Sequence, residues 1–199
     1  MKIDMHCHTS EGTYDAKISV IELIKDAKDK NMDAIIITDR ESYEGFNYLK
    51  NNNIQTDIIV LHGFEYTSQQ GDFIIVLPDE EDIIAYNYLM TASKLIDLVH
   101  SLNGVIGIAH MYKDCYSIGN VIKDTKQLEE IINLVDFIEV ENGTALNRQN
   151  KKALQIAEKY KKKQSKGSDA HVKNECGSVF LDIPANIKCN KDLIAYYSM

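Results

Sequence analysis

Short apolar runs alternate with helical periods along this chain. The run "DAIIITD" (33–39) is apolar throughout its body, which is typical of a strand buried on both faces of a parallel sheet. In "SVIELIKDAKDK" the apolar residues Val20, Leu23, Ile24 and Ala27 fall on one helix face. Ser19, with a glutamate three residues later, gives that helix a capping-box signature. The pattern predicts an α/β protein built from right-handed βαβ units.

The same pattern sets the expected order of elements. The predicted strands are Lys2–His6, 33–39, 57–65, 72–78, 105–110, 136–142, a strand that begins in "KGSDAH" (166–171), and 178–183. The predicted helices are Ser19–Lys30, Glu44–Asn51, Thr91–Leu102, Thr125–Leu134 and Asn147–Lys163. An open doubly wound sheet and a closed barrel both satisfy this order. We expect a single domain over residues 1–199.

The amino-acid composition limits the classes of molecule that this protein is expected to bind. The formal net charge of −8 argues against a dedicated surface for duplex nucleic acid. It leaves phosphorylated substrates open, because bound cations can supply local positive charge. The sequence predicts no membrane span and no signal peptide. The four cysteines are scattered without a C-x-x-C pair, so we expect a reducing, cytoplasmic setting.

The opening segment "KIDMHCHT" contains the first candidate functional residues. In a strand, Asp4, His6 and His8 share one face and Cys7 lies on the other. Cys7 is therefore expected to be a buried apolar side chain. Two imidazoles on alternate positions point toward one place, which favours metal ligation over ordinary solvated histidines.

Polar residues recur where the other predicted strands end, and the strand bodies are apolar. They are Asp39, Glu65, His110, Glu139, Glu141, Asn142, Asp169 and His171. Active sites of parallel α/β proteins assemble at the carboxyl ends of strands. A set that mixes imidazole with carboxylate suits Zn²⁺, Mn²⁺ or Fe²⁺ better than Ca²⁺ or Mg²⁺. The two other histidines, His62 and His100, are expected to pack or to be solvated.

Four blocks of the sequence, in order and over nearly the whole chain, resemble the PHP domain (polymerase and histidinol phosphatase) family. The blocks are "DMHCHT", "AIIITDRESYEGF", "GFEYTSQQGDFIIVLP", and "GVIGIAHMY" with "IEVENGTALNRQNKKALQIAEKY…KGSDAHV". The resemblance is strongest to the family's short stand-alone metal-dependent phosphoesterases. It implies a distorted TIM-like (β/α)7 barrel with one to three transition-metal ions, Zn, Mn or Fe, at the strand exits.

The resemblance also implies ligands. His6, His8, Glu65 and Asp169 match the ligands of a first metal. Glu65 would bridge to another metal held with His110, and His171 matches a ligand of a further one. The family adds an acid in the loop after the first strand, for which Glu11 and Asp15 are both candidates and Asp15 fits the spacing better.

Two positions depart from the family pattern. Its T-D-H motif reads Thr38-Asp39-Arg40 here, and a guanidinium has no lone pair to give a metal. Arg40 is expected either to bind a phosphate or to pair with a nearby carboxylate. In "GDFII", Asp72 stands where many relatives have a histidine, and its carboxylate is still a competent metal ligand.

These residues predict a metal-dependent phosphoesterase that uses a metal-activated hydroxide. His110, His171 and Arg40 are the expected catalytic residues, Asp4 is expected to hold a ligand imidazole, and Lys113 or Arg148 to add phosphate contacts. The expected substrate is a phosphorylated small molecule or a short oligonucleotide. The alternative is a metal- or phosphate-binding relative whose catalysis is weakened or lost because of Arg40. A third hypothesis is a hydrolase of amide or other non-phosphate substrates on the same fold.

Overall fold

Strands and helices alternate along most of the chain, as the apolar pattern predicts. The computed structural model describes residues 1–80, 89–184 and 186–198. Its elements are β1 (Lys2–Cys7), α1 (Val20–Asp29), β2 (Ala34–Ile37), α2 (Glu44–Asn51), β3 (Ile59–His62), β4 (Phe64–Ser68), β5 (Gly71–Val76), α3 (Ala92–Ser101), β6 (Val105–Ile108), α4 (Ile118–Val121), α5 (Thr125–Leu134), β7 (Phe137–Asn142), α6 (Asn147–Lys159), β8 (Lys163–Gly167), β9 (Leu181–Asp182) and α7 (Asn190–Ser198). The mixed α/β class is confirmed.

The strands of the described residues pair into two sheets. Their orders are β3-β2-β1-β9 and β4-β5-β6-β7-β8. The pairing is parallel except at β1–β9, β4–β5 and β5–β6. The β4–β5 reversal follows from the two-residue connection Gln69-Gln70, which joins antiparallel strands and is too short for a crossover helix. Where the resemblance implies one barrel, the paired strands of the described residues form two sheets.

Four predicted boundaries are wrong. The strand predicted to begin in "KGSDAH" (166–171) is β8, which begins at Lys163 and already ends at Gly167. The strand predicted over 57–65 divides at Gly63, where a Cβ would lie 2.7 Å from the carbonyl oxygen of Ile75. The helix predicted to end at Lys163 ends at Lys159, because Lys163 pairs with Phe137 in the β7–β8 ladder. The strand predicted over 178–183 is two residues long. The helices α4 and α7 were not predicted.

The apolar core directs the polar residues to the strand ends. The predicted face of α1 packs with Ile35 and Ile37 of β2 and with Cys7, which is buried as expected. The capping box at Ser19 is also formed, because its side chain and that of Glu22 both accept hydrogen bonds from the backbone. Within the described residues, no helix has the length and apolar character needed to cross a bilayer.

A buried carboxylate ties the end of β2 to the loop after β1. Asp39 accepts hydrogen bonds from the backbone nitrogen and the hydroxyl of Thr9, both at 2.6 Å, from the Thr13 hydroxyl at 2.8 Å and from the Gly45 nitrogen at 3.2 Å. Burial raises the pKa of Asp39 to about 6. Gly45, in α2, approaches so closely that a Cβ would lie 2.4 Å from Asp39 Oδ2 and 2.3 Å from Thr9 Oγ1.

We expect Gly45→Ala to lower the free energy of unfolding by about 1–3 kcal/mol, because the new methyl group overpacks two buried, hydrogen-bonded side chains. Alanine is the better helix former by about 1 kcal/mol, so helix propensity alone predicts the opposite sign. Urea unfolding measures the change. Asn51→Ala, at an exposed position of the same helix, is the control and should change stability little. Equal or higher stability of Gly45→Ala would contradict the packing account.

Candidate metal centre

The structure brings together side chains from four separate parts of the chain at one end of the strands. They are His6 and His8 at the end of β1, Glu65 in β4, His110 after β6, and Asp169 with His171 after β8. All but His171 are buried. Hydrogen bonds from Asp169 N to His6 O (2.8 Å) and from Glu65 N to Thr38 O (3.2 Å) link these strand ends across the two sheets.

Four donor atoms of this cluster have the spacing of a tetrahedral metal site. His6 Nε2 lies 3.1 Å from His8 Nε2, 3.7 Å from Glu65 Oε2 and 3.6 Å from Asp169 Oδ1. His8 Nε2 lies 3.4 Å from that glutamate oxygen and 3.3 Å from that aspartate oxygen. Ligands at 2.0–2.1 Å from a tetrahedral zinc ion stand about 3.3 Å apart. These residues therefore fit a divalent transition metal.

The carboxylate of Asp169 supports this fit. Its Oδ1 atom is buried and accepts no hydrogen bond from any described residue. Its Oδ2 atom accepts from Lys113 Nζ at 2.6 Å, Thr144 Oγ1 at 2.7 Å and Asn142 Nδ2 at 3.2 Å. The pairing of one oxygen orients the other, whose lone pairs face the two imidazoles.

Two residues of the cluster have left-handed backbone conformations. The φ angles are +55° at Asp169 and +25° at His110, and such conformations cost about 1–3 kcal/mol at residues other than glycine. Backbone hydrogen bonds hold both: Asp169 N donates to His6 O at 2.8 Å and His110 N donates to Glu139 Oε2 at 2.7 Å. The fold thus maintains strain where the candidate ligands meet.

The prediction that Asp4 holds a ligand imidazole is wrong. Its short side chain accepts hydrogen bonds from the backbone nitrogens of Ser168, at 2.9 Å, and Gly177, at 2.8 Å, and so fastens β1 to the segment after β8. Glu139 of β7 holds the imidazole instead, because its Oε1 accepts from His6 Nδ1 at 3.0 Å. The sequence signal for Glu139 is a carboxylate inside the apolar run "DFIEV".

The two oxygens of Glu65 lie close to four side chains. Oε1 lies 2.7 Å from His110 Nε2, and Oε2 faces His6 and His8. Arg40 Nη1 donates to that same Oε2 at 2.6 Å, and Arg40 Nε lies 3.6 Å from Asp15 Oδ1. Of the two alternatives for Arg40, the structure therefore has the carboxylate pair.

The two candidate acids of the loop after β1, Glu11 and Asp15, contact different parts of the structure. Asp15 Oδ1 lies 3.6 Å from His171 Nε2, at the edge of the cluster. Glu11 accepts a hydrogen bond from Val20 N, at 3.1 Å, and so caps α1. His171 Nδ1 donates to the carbonyl of Asp169 at 2.9 Å, which leaves its Nε2 toward Asp15.

The remaining predicted residues lie around or outside this cluster. Asp72 is the second residue of β5 and is buried, with a carboxylate oxygen close to donor atoms of His110 and Cys115. His62 packs against the rings of Tyr43 and Phe46. Two further residues are on the surface: His100 faces Asp136 at 3.0 Å, and Arg148 faces Asp114 at 3.7 Å.

The pKa values of His6 and His8 are shifted in opposite directions. Burial lowers the pKa of His8 to about 4, so its ring is neutral near pH 7. Burial also opposes the charged form of His6, but the carboxylates of Glu139, Asp169 and Glu65 outweigh it and raise the pKa of His6 to about 10. Without a metal, the carboxylates thus keep both ring nitrogens of His6 protonated near pH 7. Metal binding at Nε2 would release the proton from that nitrogen.

A pocket of about 490 Å³ opens beside the cluster. Its lining includes Arg40, Asp72, His110, Lys113, Cys115 and Tyr116. Two cationic side chains therefore lie at its wall, although the whole chain carries a net charge of −8.

Solved structures share this fold at low sequence identity. A protein assigned as a metal-dependent phosphoesterase from Bifidobacterium adolescentis aligns with a TM-score of 0.76 and 14% identity, over 98% of this chain and 96% of its own. An amidohydrolase from Chromobacterium violaceum with bound sulfate aligns with a TM-score of 0.70 and 13% identity, over 99% and 97%. The lesion-specific endonuclease Q from Pyrococcus furiosus aligns with a TM-score of 0.73 and 15% identity, over 97% of this chain but only 54% of its own.

No curated protein sequence matches this chain. The PHP domain family does, over residues 4–190. That range contains every candidate ligand from His6 to His171, and the match confirms the resemblance seen in the sequence motifs. The chain belongs to the PHP domain family.

Proposed function

We propose that this protein is a metal-dependent phosphoesterase, with its first divalent ion held by His6, His8, Glu65 and Asp169. The observation that carries the proposal is the spacing of their four buried donor atoms, 3.1–3.7 Å over the five pairs given above. The imidazole and carboxylate donors favour Zn²⁺, Mn²⁺ or Fe²⁺. A bound ion of this kind would lower the pKa of a water molecule to near 7 and withdraw charge from a phosphoryl group.

Glu139 is the positioning residue for the first imidazole. By accepting the Nδ1 proton of His6, it leaves the lone pair of Nε2 facing the other three donors. The other Glu139 oxygen fixes the backbone of His110. One carboxylate therefore orients two residues that the resemblance identifies as ligands.

Arg40 and Lys113 are proposed to bind the phosphoryl oxygens. Both line the pocket and both now pair with carboxylates of the cluster, Arg40 with Glu65 and Lys113 with Asp169. A guanidinium offers a planar pair of donors and an ammonium a compact charge. An incoming phosphate would take over the Arg40 hydrogen bond and free Glu65 Oε2 for the metal. Lys113 would keep its bond to Asp169 Oδ2 and use its remaining ammonium protons on the phosphate.

His171 is the residue we propose for proton transfer to the leaving group. Its Nδ1 proton is engaged by the Asp169 carbonyl, so the exposed Nε2 is the atom that takes up or gives a proton. Its ring is 20% exposed, whereas that of His110 is 2% exposed and is held by Glu65. His110 is thus placed for binding and positioning.

The proposed substrate is a phosphorylated small molecule or a short oligonucleotide. A pocket of about 490 Å³ is within the range of small-molecule sites. Endonuclease Q, a neighbour by fold, was crystallised with a DNA duplex that carries an abasic lesion. Because this chain covers only 56% of that structure, its own substrate is proposed from its pocket alone.

We further propose that residues 1–199 form one domain and that the two sheets close into the distorted seven-stranded barrel implied by the family. The seven strands would be β1, β2 and β4–β8. Two parallel bridges, Cys7 with Ala170 and Arg40 with Glu65, support this closure.

A second candidate function is a metal- or phosphate-binding protein with weak or no catalysis. The observation that favours it is the 2.6 Å hydrogen bond from Arg40 to Glu65 Oε2, one of the four proposed donor atoms. Arg40 and a metal compete for this oxygen. Metal content measured together with turnover separates the two functions, because the binding protein retains metal or phosphate without turnover.

Removal of either carboxylate should abolish activity. We expect Glu65→Gln and Asp169→Asn each to lower turnover of p-nitrophenyl phosphate, with Mn²⁺ or Zn²⁺ present, by about 100-fold or more. Each should also lose bound metal, because an amide is a poorer ligand than a carboxylate.

The matched control is Glu141→Gln, which removes a half-exposed carboxylate that pairs with Lys166 on the outer side of β7. It should retain both metal and turnover. Wild-type turnover in Glu65→Gln or Asp169→Asn would refute the assignment.

The second test restores the family residue at position 40. We expect Arg40→His to bind about one more metal equivalent than Arg40→Ala, because Asp15 Oδ1 and His171 Nε2 already lie 3.6 Å apart, near the spacing of two ligands on one ion. Elemental analysis of the two variants, purified side by side, measures the difference. Equal metal content in both would show that position 40 does not border a further metal site.

A further inference from the structure

Two of the four cysteines are exposed, and one of these lines the pocket beside the metal centre. Cys115 lies between β6 and α4, with its Sγ 3.9 Å from His110 Nδ1. Asp72, His110 and Cys115 each offer a donor atom, and the three atoms lie within 4.8 Å of one another. Neither the resemblance to the family nor the mechanism above assigns a role to this thiol.

Asp72 gives an independent sign of a missing ligand. The residue is 6% exposed, and its Oδ1 accepts no hydrogen bond from any described residue. An unpaired buried carboxylate oxygen is costly unless a cation or a donor faces it. The donor atoms of His110 and Cys115 lie close to this carboxylate.

The distance between His110 and Glu65 shows which imidazole nitrogen is available. His110 Nε2 and Glu65 Oε1 are 2.7 Å apart, which is a hydrogen-bond length, whereas two tetrahedral ligands on one ion stand about 3.3 Å apart. If Nε2 carries the proton and donates it to Glu65, the lone pair lies on Nδ1, the atom that faces Cys115. An imidazole that donates its other proton to a carboxylate is the usual arrangement of a metal-ligating histidine.

The resemblance already implies a second metal at Asp72 and His110. We propose that the thiolate of Cys115 is a further ligand of that ion, beside Asp72 and His110 Nδ1, and that its sulfur selects Zn²⁺ over Mn²⁺. Sulfur ligands favour zinc, and three protein ligands with an open fourth position are typical of catalytic zinc. All three residues line the pocket, so a fourth ligand would come from its interior. Nitrogen and sulfur ligands on one zinc ion stand about 3.5 Å apart. Cys115 Sγ lies 3.9 Å from His110 Nδ1, and all three donor atoms lie within 4.8 Å of one another, so the Cys115 turn would close inward on binding.

This site extends the proposed phosphoesterase by a second ion, and its test reads the metal–thiolate bond instead of turnover. Metal-free protein is titrated with Co²⁺ and followed in the near ultraviolet, where sulfur-to-cobalt charge transfer absorbs. The wild type should show the band, and Cys115→Ser should lack it and bind about one equivalent less. The control is Cys189→Ser, which removes the other exposed thiol, one that lies next to α7 and faces Asp192, and should keep the band.

The unmutated protein provides a second measurement. Iodoacetamide labelling is quantified by mass spectrometry at both exposed cysteines, with and without Zn²⁺. We expect zinc to slow labelling of Cys115 at least tenfold and to leave Cys189 unchanged. A charge-transfer band that persists in Cys115→Ser, or zinc-independent labelling of Cys115, overturns the proposal. A band without phosphoesterase turnover would refute the proposed function and leave this site standing; turnover without a band would do the reverse.

Discussion

The burial of two imidazoles and two carboxylates around one point is the constraint on which the rest of this structure depends. Charged groups out of water are costly unless they are paired or bind a cation. Here the surrounding fold supplies fixed partners on the outer side of each ligand: Glu139 behind His6, and Lys113, Thr144 and Asn142 behind Asp169. Their inner atoms are left facing one another, which is an arrangement that a metal ion stabilises.

Local patterns predicted much of the fold and of this centre. Alternation in "DMHCH" placed His6 and His8 on one face, and the capping signature at Ser19 gave the start of α1. What the sequence could not supply were contacts between distant segments. Two of the partners of Asp4, Ser168 and Gly177, lie more than 160 residues away, and Glu139 reaches His6 from 133 residues away. The end of α6 likewise depends on the β7–β8 register, which no local pattern encodes.

The compared structures share the fold at 13–15% identity, and one fold can support several chemistries. The differences that matter are therefore individual side chains. Arg40 sets a fixed positive charge against Glu65, at the position where the resemblance implies a ligand histidine. Asp72 replaces another histidine, and Cys115 brings sulfur to the same pocket. By the resemblance, one cation and one carboxylate thus stand where the family has histidines, and a thiol lies in the same pocket.

Anomalous diffraction from crystals soaked in Zn²⁺ or Mn²⁺ would locate the ion held by His6, His8, Glu65 and Asp169. The account predicts a strong peak at about 2.0–2.2 Å from His6 Nε2, His8 Nε2, Glu65 Oε2 and Asp169 Oδ1, with Arg40 displaced from the glutamate. The absence of a peak at this point, with Arg40 still hydrogen-bonded to Glu65 in metal-saturated crystals, would contradict it.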